Sequence, residues 1–179
     1  MAPTTSLRPI SDRDFGYAEA QHLLSRAGFG GTPQQIAQLQ AMGVDKAVDH
    51  LVDYDDISVG DLAKPTYDAD LIRPPTEEER ELIRRAEREN NEELRERYRR
   101  EFLRRRADDR TQMMQLKDWW LARMIATPRP LEERLVLFWH GHFATNHRTV
   151  QDSFLLLKQN VLFRKHANGN FASMVYGII

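Results

Sequence analysis

Between Glu77 and Arg106 the chain carries eleven basic and ten acidic side chains, a net charge of +1 over a run that no sheet or compact core could bury. Glutamate and arginine recur four residues apart: Glu81 with Arg85, Glu93 with Arg97, Glu96 with Arg100 and Glu101 with Arg105. That order stabilises a helix. Thr76-Glu77-Glu78-Glu79 opens the run as a capping box, with acid in the first turn where the helix dipole favours it. Leu82, Ala86, Leu94, Tyr98 and Phe102 make one narrow apolar stripe. The spacing predicts a single long charged helix over residues 76–110, mostly in solvent, with one thin buried edge that could also seat a partner helix. Most of its arginines have a glutamate one turn away, and the whole chain balances 26 basic against 27 acidic residues. A grip on phosphates needs unpaired cations, so no nucleic-acid partner is expected.

The same helical period runs through the rest of the chain. Residues 1–16 read as an irregular leader without an apolar run, so neither a secretory signal nor a membrane anchor is expected, and the chain is placed in the cytoplasm. Residues 17–54 form a unit of short helices. Ala20, Leu23, Leu24 and Ala27 share one face, and Gly28-Phe29-Gly30-Gly31 is expected to stop the helix in a left-handed conformation. Thr32-Pro33-Gln34-Gln35 restarts it with a capping box that presents Ile36 and Leu39. After Gly43 a third stripe holds Ala47, Val48, Leu51 and Val52. Residues 55–75 are an acidic loop. Its aspartates lack the glycine and distal glutamate of an EF-hand, which favours a solvated loop over a calcium site.

Residues 111–179 are the apolar helical region. Met113, Leu116, Trp119, Trp120, Leu121, Met124 and Ile125 form a broad face suited to a core helix. Pro130 opens the next helix, with Leu131, Leu135, Phe138 and His142 on one face. Phe154, Leu157, Val161 and Leu162 follow, and Asn170 is placed to cap a last helix carrying Phe171, Met174, Val175 and Ile178. No segment alternates with a period of two. The fold class is therefore all-α, an irregular multi-helix array, and no apolar stretch is long enough to span a membrane. The chain finishes on Val175-Tyr176-Gly177-Ile178-Ile179 with nothing to cover it. This predicts the front part of a longer protein, its apolar end covered by missing C-terminal sequence or by a protein partner.

The absence of cysteine excludes disulfides, thiolate metal sites and cysteine nucleophiles. Chemistry concentrates in Trp139-His140-Gly141-His142-Phe143-Ala144-Thr145-Asn146-His147-Arg148. Three histidines in so short a stretch could give imidazole nitrogens to a divalent transition metal. On a continuous helix His140 and His142 diverge, so the metal candidates are His142 and His147, converging if Gly141 breaks the helix. The alternative is acid–base catalysis by His140, His142 or His147, with Arg134 holding an anionic group. Against both stands a structural role, with His142 packed beside Phe138. No Gly-x-Ser-x-Gly elbow, HExxH pair or phosphate loop is present.

Several segments together resemble one family. His22 to Pro33, Trp119-Trp120-Leu121 with Met124, Pro130 to Leu135, Phe138 to Thr145, Gln159-Asn160 and His166 to Phe171 are similar, in order, to the bacterial family called domain of unknown function 1800. The resemblance implies a longer native protein and leaves export open, and it carries no catalytic residues over. Two functions are expected from these readings. The first is an N-terminal helical portion acting as an assembly or interaction module. The second is a metal-dependent or acid–base enzyme built around residues 140–147.

Overall fold

The computed structural model describes residues 9–179, and among these it holds nine α-helices and no strand. The all-α expectation is met. Of the expected leader, residues 1–8 lie outside the described residues, and residues 9–16 carry no helix.

Helices α1 (Tyr17–Ala27), α2 (Pro33–Met42) and α3 (Val44–Val52) close around Phe15, Ala20, Leu24, Ile36, Leu39, Ala47 and Leu51. The capping box of α2 forms: Thr32 Oγ1 accepts the Gln35 amide at 3.3 Å and Gln35 Oε1 accepts the Thr32 amide at 2.8 Å. Gly28 ends α1, but its φ of −143° is not left-handed. A Cβ there would stand 2.7 Å from the Cβ of Pro130, so close packing demands the glycine. Val48 and Val52 are 39% and 40% exposed, so α3 buries a narrower stripe than its sequence offers.

The charged segment is two helices rather than one. α4 (Glu77–Arg88) and α5 (Glu92–Ala126) fold back on each other at Asn90, whose φ is 46°, and Asn91 caps α5 by accepting the Leu94 amide at 3.1 Å. Asparagine suits both positions, because its short amide tolerates the left-handed region and also caps a helix. The composition change at residues 107–110 ends nothing. α5 continues through it for 35 residues, about 50 Å. Its first half is solvated, while Asp109, Gln112 and Leu116 begin a buried face on its second half. Of the expected ion pairs Glu101–Arg105 forms at 3.1 Å, whereas Arg85 turns to Glu89 instead of Glu81. Glu79 locks the hairpin, meeting Arg73 at 2.7 Å and Arg105 of α5 at 3.0 Å. The Arg73 guanidinium and the Thr76 amide, with Arg105 behind them, hold the Glu79 carboxyl down at about 2.

α6 (Pro130–Phe143), α8 (Ser153–Lys165) and α9 (Phe171–Ile178) build a second core with the end of α5, and the short α7 (His147–Val150) lies against α8. Val136, Phe163, Ala167 and Met174 are its buried centre, flanked by Trp120, Leu135, Trp139 and Phe143. Asn170 caps α9 as expected, accepting the Ser173 amide at 2.9 Å. α9 lies so close on α8 that a Cβ at Gly177 would stand 2.6 Å from Leu162 Cδ1. α6 does not bury the face its apolar residues suggest. Phe138 is 56% exposed, and Glu132, Glu133 and Val136 point inward.

Residues 55–75 form no α-helix but lie as a strap on the helices. Arg129 Nε donates to the Ile57 carbonyl at 2.6 Å, Trp119 Nε1 to the Ala63 carbonyl at 2.6 Å, and Gln112 Nε2 to the Asp68 carbonyl at 3.0 Å. Tyr67 stacks on Phe154 with ring centres 5.2 Å apart. Three backbone carbonyls of this long connection are thus satisfied by side chains of α5 and of Arg129 at the start of α6.

Candidate functional site

The inward face of α6 is built around Glu133, which is fully buried. Arg164 of α8 holds it with two parallel hydrogen bonds, Nε to Oε1 at 2.7 Å and Nη2 to Oε2 at 2.9 Å. Arg123 of α5 donates to Oε1, and the Trp120 indole donates to Oε2 at 2.8 Å. Burial alone would raise the Glu133 carboxyl, but Arg164, then Arg123 and Trp120, outweigh it and keep the group ionised. This cluster fixes α5, α6 and α8 relative to one another.

Between those helices lies a cavity of about 240 Å³. Leu116, Trp120, Leu156 and Leu157 supply apolar wall, and His140, Thr145, His147 and Asn160 supply its polar groups. His147, the first residue of α7, sets its Nε2 2.6 Å from Asp109 Oδ2, and the other oxygen of Asp109 accepts the Ser153 amide at 2.8 Å. Asp109 is 1% exposed. Burial pushes its carboxyl up, and the Ser153 hydroxyl and amide with the His147 ring more than reverse this, leaving it below the ordinary aspartate value. Gln112 completes the network, donating to Ser153 Oγ at 2.8 Å.

His140 stands on α6 between Trp120, 4.8 Å away by ring centres, and the Phe163 ring, perpendicular to it at 4.9 Å. Burial, with a smaller push from Arg164, lowers its pKa to about 4, so the ring is neutral at neutral pH. Its Nε2 lies 3.2 Å from Asn160 Nδ2. An amide nitrogen only donates, so Nε2 accepts and the ring proton sits on Nδ1. Asn160 is 4% exposed, and its Oδ1 has no partner among the described residues.

A family model described as protein of unknown function DUF1800 matches residues 22–179. The chain belongs to the DUF1800 family. No curated relative and no solved structure matches it. The segments that carried the resemblance, from His22 to Phe171, all fall within the matched residues of this DUF1800 chain.

The structure divides the sequence candidates of this DUF1800 domain between two surfaces. His140 and His147 line the cavity, whereas His142 and Arg134 lie on the outer side of α6 in a shallow depression with Leu137, Phe138 and Gly141. Gly141 does not break the helix, because α6 runs on to Phe143 and turns only at Ala144, whose φ is 45°. The condition for His142 and His147 to converge is therefore not met. Among the described residues no group of three or more His, Asp or Glu side chains is disposed to hold a metal ion. Asp109 was not singled out by sequence, and Glu133 and Asn160 entered only as parts of the segments that carry the resemblance, with no role attached. Asp109 ends a run that reads as solvated, and only its pairing with a histidine 38 residues away reveals it. No helix among the described residues is long and apolar enough to cross a membrane.

The lowered pKa of His140 makes stability depend on pH. An unfolded histidine titrates near 6.5 and the folded one near 4, so the unfolded state binds the extra proton between those values. The neutral ring's contribution is complete above pH 6.5 and is lost as pH falls toward 4. It is on the order of 2–3 kcal/mol. Urea midpoints of the wild type should fall over this window. His140→Phe should flatten that limb, and an unchanged slope in the variant would place the titration elsewhere.

Proposed function

We propose that this DUF1800 domain is an assembly module that docks a partner protein on the aromatic face shared by α6 and α9. One observation carries the reading: Phe138 and Phe171 are 56% and 52% exposed within a connected ring cluster. Trp139 links them, with ring centres 4.9 Å from Phe138 and 5.6 Å from Phe171, and His142 stacks on Phe138 at 6.1 Å. Half-exposed aromatic side chains in one patch are the surface that protein interfaces use, and monomers seldom leave such patches in water. Arg134 and His142 give the patch a polar edge.

The test is hydrophobic-dye binding and solution mass of the wild type beside Phe138→Ser/Phe171→Ser. The wild type should bind dye and self-associate, and the double variant should lose both while keeping its thermal melt. A monodisperse wild type with no dye binding overturns the proposal.

A second reading, acid–base catalysis, is favoured by the buried Asp109 carboxylate 2.6 Å from His147 at the cavity wall. A carboxylate that orients an imidazole beside a binding cavity is the arrangement of a general base. In that reading His147 is the base and His140 the neutral neighbour, while His142 and Arg134 have no part.

A further inference from the structure

We infer that the partner of the α6–α9 face is an acidic amphipathic peptide, which sets a carboxylate on Arg134 and an apolar side chain over Gly141. The inference rests on the docking role proposed above and names the chemistry of what docks.

Charge is the first observation. Both acids of α6 are buried and already held, Glu132 by Arg123 and Arg129, and Glu133 by Arg123 and Arg164. α9 carries no acidic or basic residue. The exposed side chains of these two helices therefore include Arg134 and His142 but no carboxylate. Arg134 forms no ion pair among the described residues, and its guanidinium lies over the Phe29 ring, 5.7 Å from the ring centre. Phe29 is itself exposed, so aromatic surface continues past the guanidinium. A cation without a partner, bordered by half-exposed rings, complements a carboxylate flanked by apolar side chains.

Gly141 is the second observation. Glycine weakens a helix interior, and here neither backbone nor packing asks for it. α6 stays helical through this position, and a Cβ built there meets nothing within 4 Å. The missing side chain leaves open a depression of about 530 Å³ lined by Arg134, Leu137, Phe138, Gly141 and His142. Room for an apolar side chain of the partner thus lies two helical turns, about 10 Å, from Arg134 on the same side of α6. Phosphate backbones and anionic bilayers are gripped by several cations together, whereas these two helices expose one arginine.

The test is fluorescence anisotropy of three labelled, helix-forming peptides titrated with the full chain. They share two leucines and a phenylalanine on one face and differ only in carrying glutamates, glutamines or lysines beside them. The glutamate peptide should bind about three- to tenfold more tightly than the glutamine peptide, an advantage that shrinks in high salt. The lysine peptide should bind most weakly. Arg134→Glu should reverse the order of the glutamate and lysine peptides, and Arg134→Gln should remove the preference without reversing it. Gly141→Leu should abolish binding of all three without lowering the thermal melt, because it fills the depression and favours the helix. Equal affinities that are all lost in Phe138→Ser/Phe171→Ser would overturn the acidic partner and leave the docking face standing. Binding that survives this double variant would contradict both. The inference also fails if no peptide binds, if Arg134→Glu keeps the wild-type order, or if Gly141→Leu binds fully. Vesicles of anionic lipid captured in place of the peptides, and released by Arg134→Glu, would assign the face to a membrane instead and overturn the inference.

Discussion

Glu133→Ala lowers the stability of the domain by about 3–5 kcal/mol, the cost of breaking a buried ion pair from one side. The carboxylate is fully buried, and Arg123 and Arg164, 13% and 14% exposed at their side chains, both turn to it. Removing it leaves the poorly solvated Arg164 guanidinium without a carboxylate, Arg123 with Glu132 alone at 3.4 Å, and an indole N–H without its acceptor. In a domain of this size the loss corresponds to a fall in Tm of roughly 6–20 °C. Replacing Glu133, Arg123 and Arg164 together by apolar residues should cost far less, since no charge is then left buried alone. The sign with pH follows from the lowered Glu133 pKa. The carboxylate's stabilisation is complete above about pH 4.5 and is lost as pH falls through its folded value. Thermal or urea unfolding checks the substitution, and a loss below about 1 kcal/mol would mean that water reaches the arginines.

Phe163→Ala should be comparably severe, at about 3–5 kcal/mol, through the transfer of a full aromatic side chain and the cavity it leaves. Phe163 is fully buried in the second core, stacked on Phe143 at 5.4 Å and perpendicular to the His140 ring at 4.9 Å. The same substitution should disturb His140, because its pKa is set first by burial. Its titration should move back toward 6.5 in the variant, a change readable by NMR. A large stability loss with an unmoved His140 would separate the core from the cavity and contradict the contact between them.

The helical class and most helix starts were legible in the sequence because they rest on contacts within one turn. Thr32 with Gln35, Thr76 with Glu79 and Asn170 with Ser173 each close a cap across three residues, and each forms as the spacing indicates. The Asn90–Asn91 turn was written in the chain too, but the charge pattern on either side runs through it with the same helical period. Nothing in that pattern distinguishes one helix from a hairpin of two. Only the meeting of Glu79 with Arg105, 26 residues apart, requires the fold-back.

The face of α6 was decided by the tertiary structure against the hydrophobic pattern. Phe138 and Leu131 argue for one side of that helix, yet Glu133 faces inward, because Arg123 and Arg164 arrive from 10 and 31 residues away to neutralise it. The candidate site followed the same division. The sequence marked the histidine cluster and supplied the family. Its pairing of His142 with His147 failed because α6 stays helical through Gly141. The partners that give His140 and His147 their character, Asn160 at 20 residues and Asp109 at 38, become neighbours only when α5, α6 and α8 pack. Caps and periods are local physics and can be read along a chain. A buried charge or an orphaned amide is defined by what surrounds it, and those surroundings exist only in the folded protein.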